Sequence, residues 1–162
     1  MYTYNLYNNY GGRKMKAIGN EEKYGYAITR TSRAVLRFLT GYLRSYAITP
    51  EQWTVVKRVY EHDGITQKEL AAISDKDPAT LAKILDILER EGLIVRKTNK
   101  EDRRSYLIYI TDQGVKLRDE VYEHLEQVFS KVLDGIPQDE LAVFNKVLGQ
   151  IEDNAAAHTV HF

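Results

Sequence analysis

The side chains best equipped for chemistry in this chain are cationic and crowded. Arg96, Lys97, Lys100, Arg103 and Arg104 fall within residues 93–106, opposed only by Glu101 and Asp102. Guanidinium and ammonium groups at that density suit phosphate oxygens, which arginine meets with a planar fork and lysine with a point charge. The run NKEDRRS lies between LIVRKT and SYLIYIT, whose alternation marks two strands, so Lys100, Arg103 and Arg104 sit at a hairpin tip. A narrow A/T-rich minor groove attracts arginine at such a tip. Asp102, two residues before Arg104, is placed to brace that guanidinium by a charge-assisted hydrogen bond.

Other chemistries find little support. There is no cysteine, so disulfides, thiolate metal clusters and thiol redox sensing are excluded by composition. His62, His124, His158 and His161 lack ligand spacing and are expected to be solvated or capping, with no metal and no cofactor. Neither a glycine-rich phosphate loop nor an HExxH helix is present, and no enzyme is expected. The start, MYTYNLYNNY, lacks a secretory layout, and no apolar run approaches the roughly 18 residues of a membrane helix. A cytoplasmic protein without a membrane partner is expected.

Zero formal net charge argues at first against a polyanionic partner. The distribution changes that. Residues 1–48 carry eight basic and two acidic side chains, residues 111–157 four basic and ten acidic, and the basic cluster at 93–106 lies between them.

The elements that must position the cluster follow from periodicity. Residues 1–20 hold Tyr2, Tyr4, Tyr7 and Tyr10 among asparagines, then Gly11, Gly12 and a basic run. That composition builds no core. The segment is expected to be a disordered N-terminal arm, either touching DNA or a leader ahead of Met15, with no function assigned. From Glu21 to Tyr46 apolar residues recur every three or four positions, the period of one long helix, within a segment 21–48. Thr49-Pro50-Glu51-Gln52 is a capping box with proline at the first helical position, and Trp53, Val56 and Val59 or Tyr60 form the expected buried face of the helix it opens. Thr66 and Glu69 frame a second capping box for a short helix carrying Leu70, Ala71 and Ile73. After a tight turn, Asp77-Pro78 starts another helix, with Leu81, Ile84, Leu85 and Leu88 as its apolar stripe and Gly92 as its stop. The hairpin completes a unit spanning 49–110. Thr111 caps a long helix with Val115, Tyr122, Leu125, Phe129, Val132 and Leu133 on one side. Gly135 to Pro137 breaks it, and a last helix carries Leu141, Phe144, Val147, Leu148 and Ile151. These helices fill 111–157, and 158–162 form a tail.

Two short helices joined by a turn and followed by a two-stranded hairpin have the order of a winged helix-turn-helix. The fold expected is mainly α with a small β-hairpin wing, flanked by long N- and C-terminal helices. The second short helix is narrow enough for the major groove, where base edges are readable. With its apolar stripe committed to the core, Ala79, Thr80, Ala82 and Lys83 remain outward near its start. Thr80 suits a base edge or a thymine methyl, and Lys83 a guanine or a phosphate.

The stretches TPEQWTVVKRVYEHDGITQKELA and DPATLAKILDILEREGLIVRKTNKEDRRSYLIYITDQG resemble the DNA-binding core of the MarR family of bacterial regulators, including an Asp-x-Arg wing motif at Asp102 and Arg104. The resemblance covers about residues 21–152 in element order and leaves 1–20 unmatched. It implies a transcription regulator, read here as a repressor. Outer helices would form a homodimer on a palindromic double-stranded operator, and a cleft beside the interface would accept a small-molecule effector. Tyr24, Tyr42, Tyr46 and Trp53 are candidates to line that cleft, although they fit plain core better. Two other readings stay open: a zinc-responsive regulator of the same fold, and a winged helix used only for protein contacts. On the regulator reading, Arg104→Ala weakens operator binding by on the order of 1 to 3 kcal/mol with the fold intact. Unchanged affinity at fixed salt in an anisotropy titration would remove Arg104 from the set of DNA-binding residues.

Overall fold

A computed structural model describes residues 21–102 and 105–158. The arm at 1–20, the pair Arg103 and Arg104, and residues 159–162 lie outside the described residues, and so do the expectations placed on them. The chain divides into two compact units, residues 1–53 and 54–162.

In the first unit, helix α1 spans Glu22–Leu43 and its continuation tightens into a 3₁₀ turn at Arg44–Tyr46. The helical period therefore runs to Tyr46 as expected, but its last turn is not α-helical. Ala47 takes a left-handed φ of 52°, its N–H donating to Arg44 O and that of Ile48 to Leu43 O. This pair of bonds closes a helix in the manner normally left to glycine. Of the residues in α1 only Leu43 is buried, while Ile28, Leu36 and Phe38 remain exposed. The first capping box forms as expected at the start of α2 (Pro50–Glu61). Gln52 N–H donates to Thr49 Oγ1 at 3.2 Å, and Thr49 N–H donates to Gln52 Oε1 at 2.9 Å.

The second unit holds most of the apolar core. Val55, Val56 and Val59 of α2 are fully buried, which settles the choice between Val59 and Tyr60. Tyr60 is exposed instead and, with the equally exposed Tyr122, flanks the Arg118 guanidinium, whose carbon lies 4.2 and 4.6 Å from the two ring centres. Arginine packs favourably on aromatic faces, so Tyr60, the alternative to Val59 on the buried face, and Tyr122, from the stripe of the long helix after the hairpin, instead flank a cation. A short strand, β1 (Ile65–Thr66), precedes helix α3 (Gln67–Ile73), where Leu70 and Ala71 are buried and Ile73 is exposed.

Thr66 forms its capping box with Glu69. Helix α3 ends on Asp75 at φ 49°, whose N–H donates to Ala72 O while that of Lys76 donates to Ala71 O. Helix α4 (Pro78–Arg90) follows, with Leu81, Leu85 and Leu88 fully buried and Ile84 nearly so. Each such side chain contributes about 1.5 to 3 kcal/mol by leaving water. Gly92, at φ 71°, closes α4: its N–H donates to Glu89 O and that of Leu93 to Leu88 O.

Strands β2 (Ile94–Thr98) and β3 (Tyr106–Ile110) pair antiparallel, Ile94 opposite Ile110 and Thr98 opposite Tyr106. Alternation in the sequence predicts this hairpin but not its third member. β1 pairs with the other edge of β3, Ile65 opposite Ile108, giving the order β1-β3-β2. Two residues are too few for a period to register.

Helix α5 (Asp112–Val132) starts against the α4–β2 turn: Thr111 N–H donates to Leu93 O, and its hydroxyl donates to Gly92 O at 2.6 Å. Beyond it, α6 (Gln138–Ala157) leaves Val143, Phe144, Val147 and Ile151 exposed and Leu141 and Leu148 half-buried. On α5 the one large apolar side chain buried outright is Val121, which the periodicity of the sequence does not place on the buried stripe. No helix among the described residues is long and apolar enough to cross a membrane.

Gly114 is the tightest point of the junction. A β-carbon there would run into the Leu93 carbonyl oxygen and lie 2.7 Å from Ile110 Cγ1. Gly114→Ala should therefore cost about 1 to 3 kcal/mol, the range for overpacking a fixed site. A thermal unfolding midpoint equal to that of the unmodified protein would contradict this account of the α5 start.

Candidate nucleic-acid interface

The start of α4 is held by a local device. Asp77 accepts hydrogen bonds from the backbone N–H groups of Ala79 (3.1 Å) and Thr80 (2.9 Å), and Pro78 occupies the first helical turn, where a missing N–H costs nothing. With Leu81, Ile84, Leu85 and Leu88 turned into the core, Ala79, Thr80 and Lys83 are exposed together, as expected. Ala82 is half-buried, and its carbonyl faces the Arg96 guanidinium at 3.5 Å.

Hydrogen bonding holds the Asp77 carboxyl below the usual aspartate range, chiefly from the Thr80 side chain, then from the backbone N–H groups of Thr80 and Ala79.

The hairpin tip is fastened by polar contacts. Asn99 N–H donates to Ser105 O, Asn99 Nδ2 donates to Ser105 Oγ, and Glu101 N–H donates to Asn99 Oδ1 at 2.9 Å. The Asp102 carbonyl accepts from both Ser105 N–H and Ser105 Oγ. Lys100 and Asp102 are exposed on this tip, next to Arg103 and Arg104 in the chain. Lys97, on β2, is exposed with its ammonium 4.5 Å from the centre of the Tyr109 ring. At the opposite edge of the sheet, Asp63 Oδ1 accepts from Ile110 N–H and Gly64 N–H donates to Ile108 O, tying the end of α2 to β3.

Arg96 stands apart from the other cations. Its side chain is only 18% exposed, with Nη1 donating to Glu89 Oε2 and Nη2 to Asp86 Oδ1, both at 2.7 Å. Its backbone N–H donates to Glu89 Oε1 as well. The structure thus directs Arg96 at α4 and not at solvent. Sequence reasoning does not single out Asp86, Glu89, Asn99 or Ser105. Asn99 has a local signal, since asparagine at a hairpin end favours a side-chain turn. Asp86 and Glu89 have none, because their partner lies on a different element.

The four aromatic residues expected to line an effector cleft do not converge. Tyr24 precedes Tyr42 by 18 positions on one helix, about 27 Å at 1.5 Å per residue. Its side chain is exposed, with the Lys23 ammonium over the ring. Tyr42 and Tyr46 do pair, their hydroxyl oxygens 3.2 Å apart with either able to donate, and their ring centres 5.4 Å apart. Burial first, then the hydrogen bond to Tyr46, raises the Tyr42 hydroxyl well above the ordinary tyrosine range. Trp53 is buried. Among the described residues no group of three or more histidine, aspartate or glutamate side chains is gathered to hold a metal ion. His124 and His158 each place Nδ1 near a carbonyl four residues earlier.

The Asp77 cap makes a pH prediction. Because folding lowers this carboxyl, its contribution is complete above the ordinary aspartate value of about 3.9 and declines as pH falls through the lower folded value. An NMR titration of the Asp77 carboxyl carbon should give a midpoint below that of a short unstructured peptide. A midpoint at or above the peptide value would refute the cap.

The MarR family model matches residues 48–106, which run from the residue before the first capping box to the first residue of β3. A transcriptional regulator of Staphylococcus haemolyticus, SarZ, is 28% identical over 131 residues, covering 81% of this chain and 88% of its own. A mutant MarR from E. coli, solved with operator DNA, shares the fold with a TM-score of 0.79 at 22% identity, over 85% of this chain and 99% of that one. The PcaV transcriptional regulator of Streptomyces coelicolor, solved with its natural ligand, has a TM-score of 0.75 at 22% identity, over 87% and 99%. The helices and small antiparallel sheet of the described residues agree with these matches: residues 48–106 match the MarR family, and the chain is similar to transcription regulators of that family, which are not enzymes.

Proposed function

We propose that this protein is a repressor that binds an inverted-repeat DNA operator as a homodimer. The observation carrying this reading is the capped first turn of α4, which exposes Ala79, Thr80 and Lys83 in the unit that also carries the cationic hairpin. A helix presented in this way fits the major groove, and the hairpin, with Lys97, Lys100, Arg103 and Arg104, reaches the backbone and adjacent minor groove as a wing. Asp102 orients Arg104 in this picture. The E. coli relative solved with operator DNA supports it.

Two-fold assembly answers a separate need. Phe144, Val147, Leu148 and Ile151 recur on α6 at helical spacing, and Phe144 and Val147 are 53% and 43% exposed in the single chain. Such a face favours burial against a second copy. Two recognition helices roughly 34 Å apart then demand an inverted repeat. A small-molecule effector, as in the ligand-bound Streptomyces relative, would act on this dimer, with the paired Tyr42 and Tyr46 hydroxyls as one polar handle.

Selection of duplexes from a random pool, followed by anisotropy and sedimentation, tests the proposal. An inverted repeat should emerge, bound by a species of twice the 18.7 kDa chain mass. Lys83→Ala should weaken binding by about 1 to 3 kcal/mol for each half-site. Recovery of no enriched sequence, or a monomer at micromolar concentration, would overturn it.

A further inference from the structure

Arg96 belongs by sequence to the cationic cluster, yet its guanidinium joins two carboxylates of α4 while its own N–H reaches one of them. Glu89 therefore grips both the backbone and the side chain of one β2 residue, and Asp86 holds the other end of the guanidinium. Asp86 and Glu89 are three positions apart on α4, so they share a face, and the planar fork of arginine can span both in a way a lysine ammonium cannot. Arg96 stands opposite Ile108 in the ladder, on the first strand of the hairpin. The link is thus a direct polar brace between the wing and the helix that the proposed function sends into the major groove. It also neutralises one of the two negative charges that this face of the helix would otherwise present to a polyanion.

We infer that Arg96 is a positioning residue: through Asp86 and Glu89 it fixes the wing relative to the recognition helix, so that both engage DNA in one register, and it does not itself contact DNA. This rests on the DNA-binding reading above. Base recognition tolerates errors of only about 0.5 Å or 10 to 20° in placement, whereas phosphate attraction is insensitive to them. Removal of the brace should therefore reduce discrimination between sequences more than general affinity for DNA.

The test uses the full-length protein and two duplexes of equal length, one recovered by selection and one scrambled, titrated over a range of salt. The double variant Arg96→Met with Glu89→Gln keeps the summed charge of residues 86, 89 and 96 unchanged, and an amide oxygen at 89 can still accept the β2 N–H. Its ratio of selected to scrambled affinity should fall by about tenfold or more, the range set by one bidentate base pairing, while the salt slope stays the same. Arg96→Lys, which retains the charge but cannot span both acids, should reduce discrimination in the same direction. A slope shallower by about one phosphate per subunit would show that Arg96 touches DNA and overturn the inference. Equal weakening on both duplexes with a lowered melting temperature would reduce Arg96 to fold maintenance, and an unchanged ratio would also overturn it. If the unmodified chain binds neither duplex, the DNA-binding reading falls and the positioning role falls with it. If it binds with discrimination that Arg96 does not affect, only the positioning role falls.

Discussion

The burial of one stripe on one helix sets the arrangement of the elements around α4. Leu81, Ile84, Leu85 and Leu88 leave water together, and a helix with four such anchors on one side has no freedom to rotate about its axis. Its opposite face is then determined without any interaction of its own. Ala79, Thr80 and Lys83 are outward because their neighbours are inward, and Asp77 only has to secure the first turn so that this face begins at a fixed place.

Around that helix the connections are made by backbone groups, which carry direction as well as energy. Gly92 turns the chain so that the Leu93 carbonyl is offered to Thr111, and glycine at position 114 lets α5 begin against the same carbonyl. Asp63 and Gly64 tie the end of α2 to the far edge of β3 in a similar way. The hairpin is consequently held at both edges, by β1 on one side and by the Arg96 bridge to α4 on the other.

Electrostatics follows this architecture and not the composition. The chain is neutral overall, and one of the five cations in its basic segment is balanced by two acids on the preceding helix. Exposed in this region are Lys83 near the start of α4 and Lys97 and Lys100 along the hairpin, with Arg103 and Arg104 adjoining in sequence. Exposed ion pairs such as Arg58 with Glu61 contribute little to stability, so the apolar core carries the fold and the surface charges are left to other uses.

Features encoded within a few neighbouring residues were legible in the sequence. The capping boxes at Thr49 and Thr66, the cap at Asp77 with Pro78, the buried stripe of α4, the glycine stop at Gly92 and the hairpin strands all depend on short-range spacing, and the structure agrees with each. The ends at Tyr46 and Ile73 fell where the spacing put them, but the left-handed conformations of Ala47 and Asp75 that close them were not legible, because residue type alone would assign such conformations to glycine. The tertiary structure alone decided the partners that are far apart in the chain. It brought Ile65 to Ile108, turned Tyr60 and Tyr122 outward around Arg118, and took Arg96 from the wing cations to Asp86 and Glu89. The physical reason is common to all three: a side chain's period says which face it occupies, while what meets that face depends on how separate elements pack, and no local pattern contains that information.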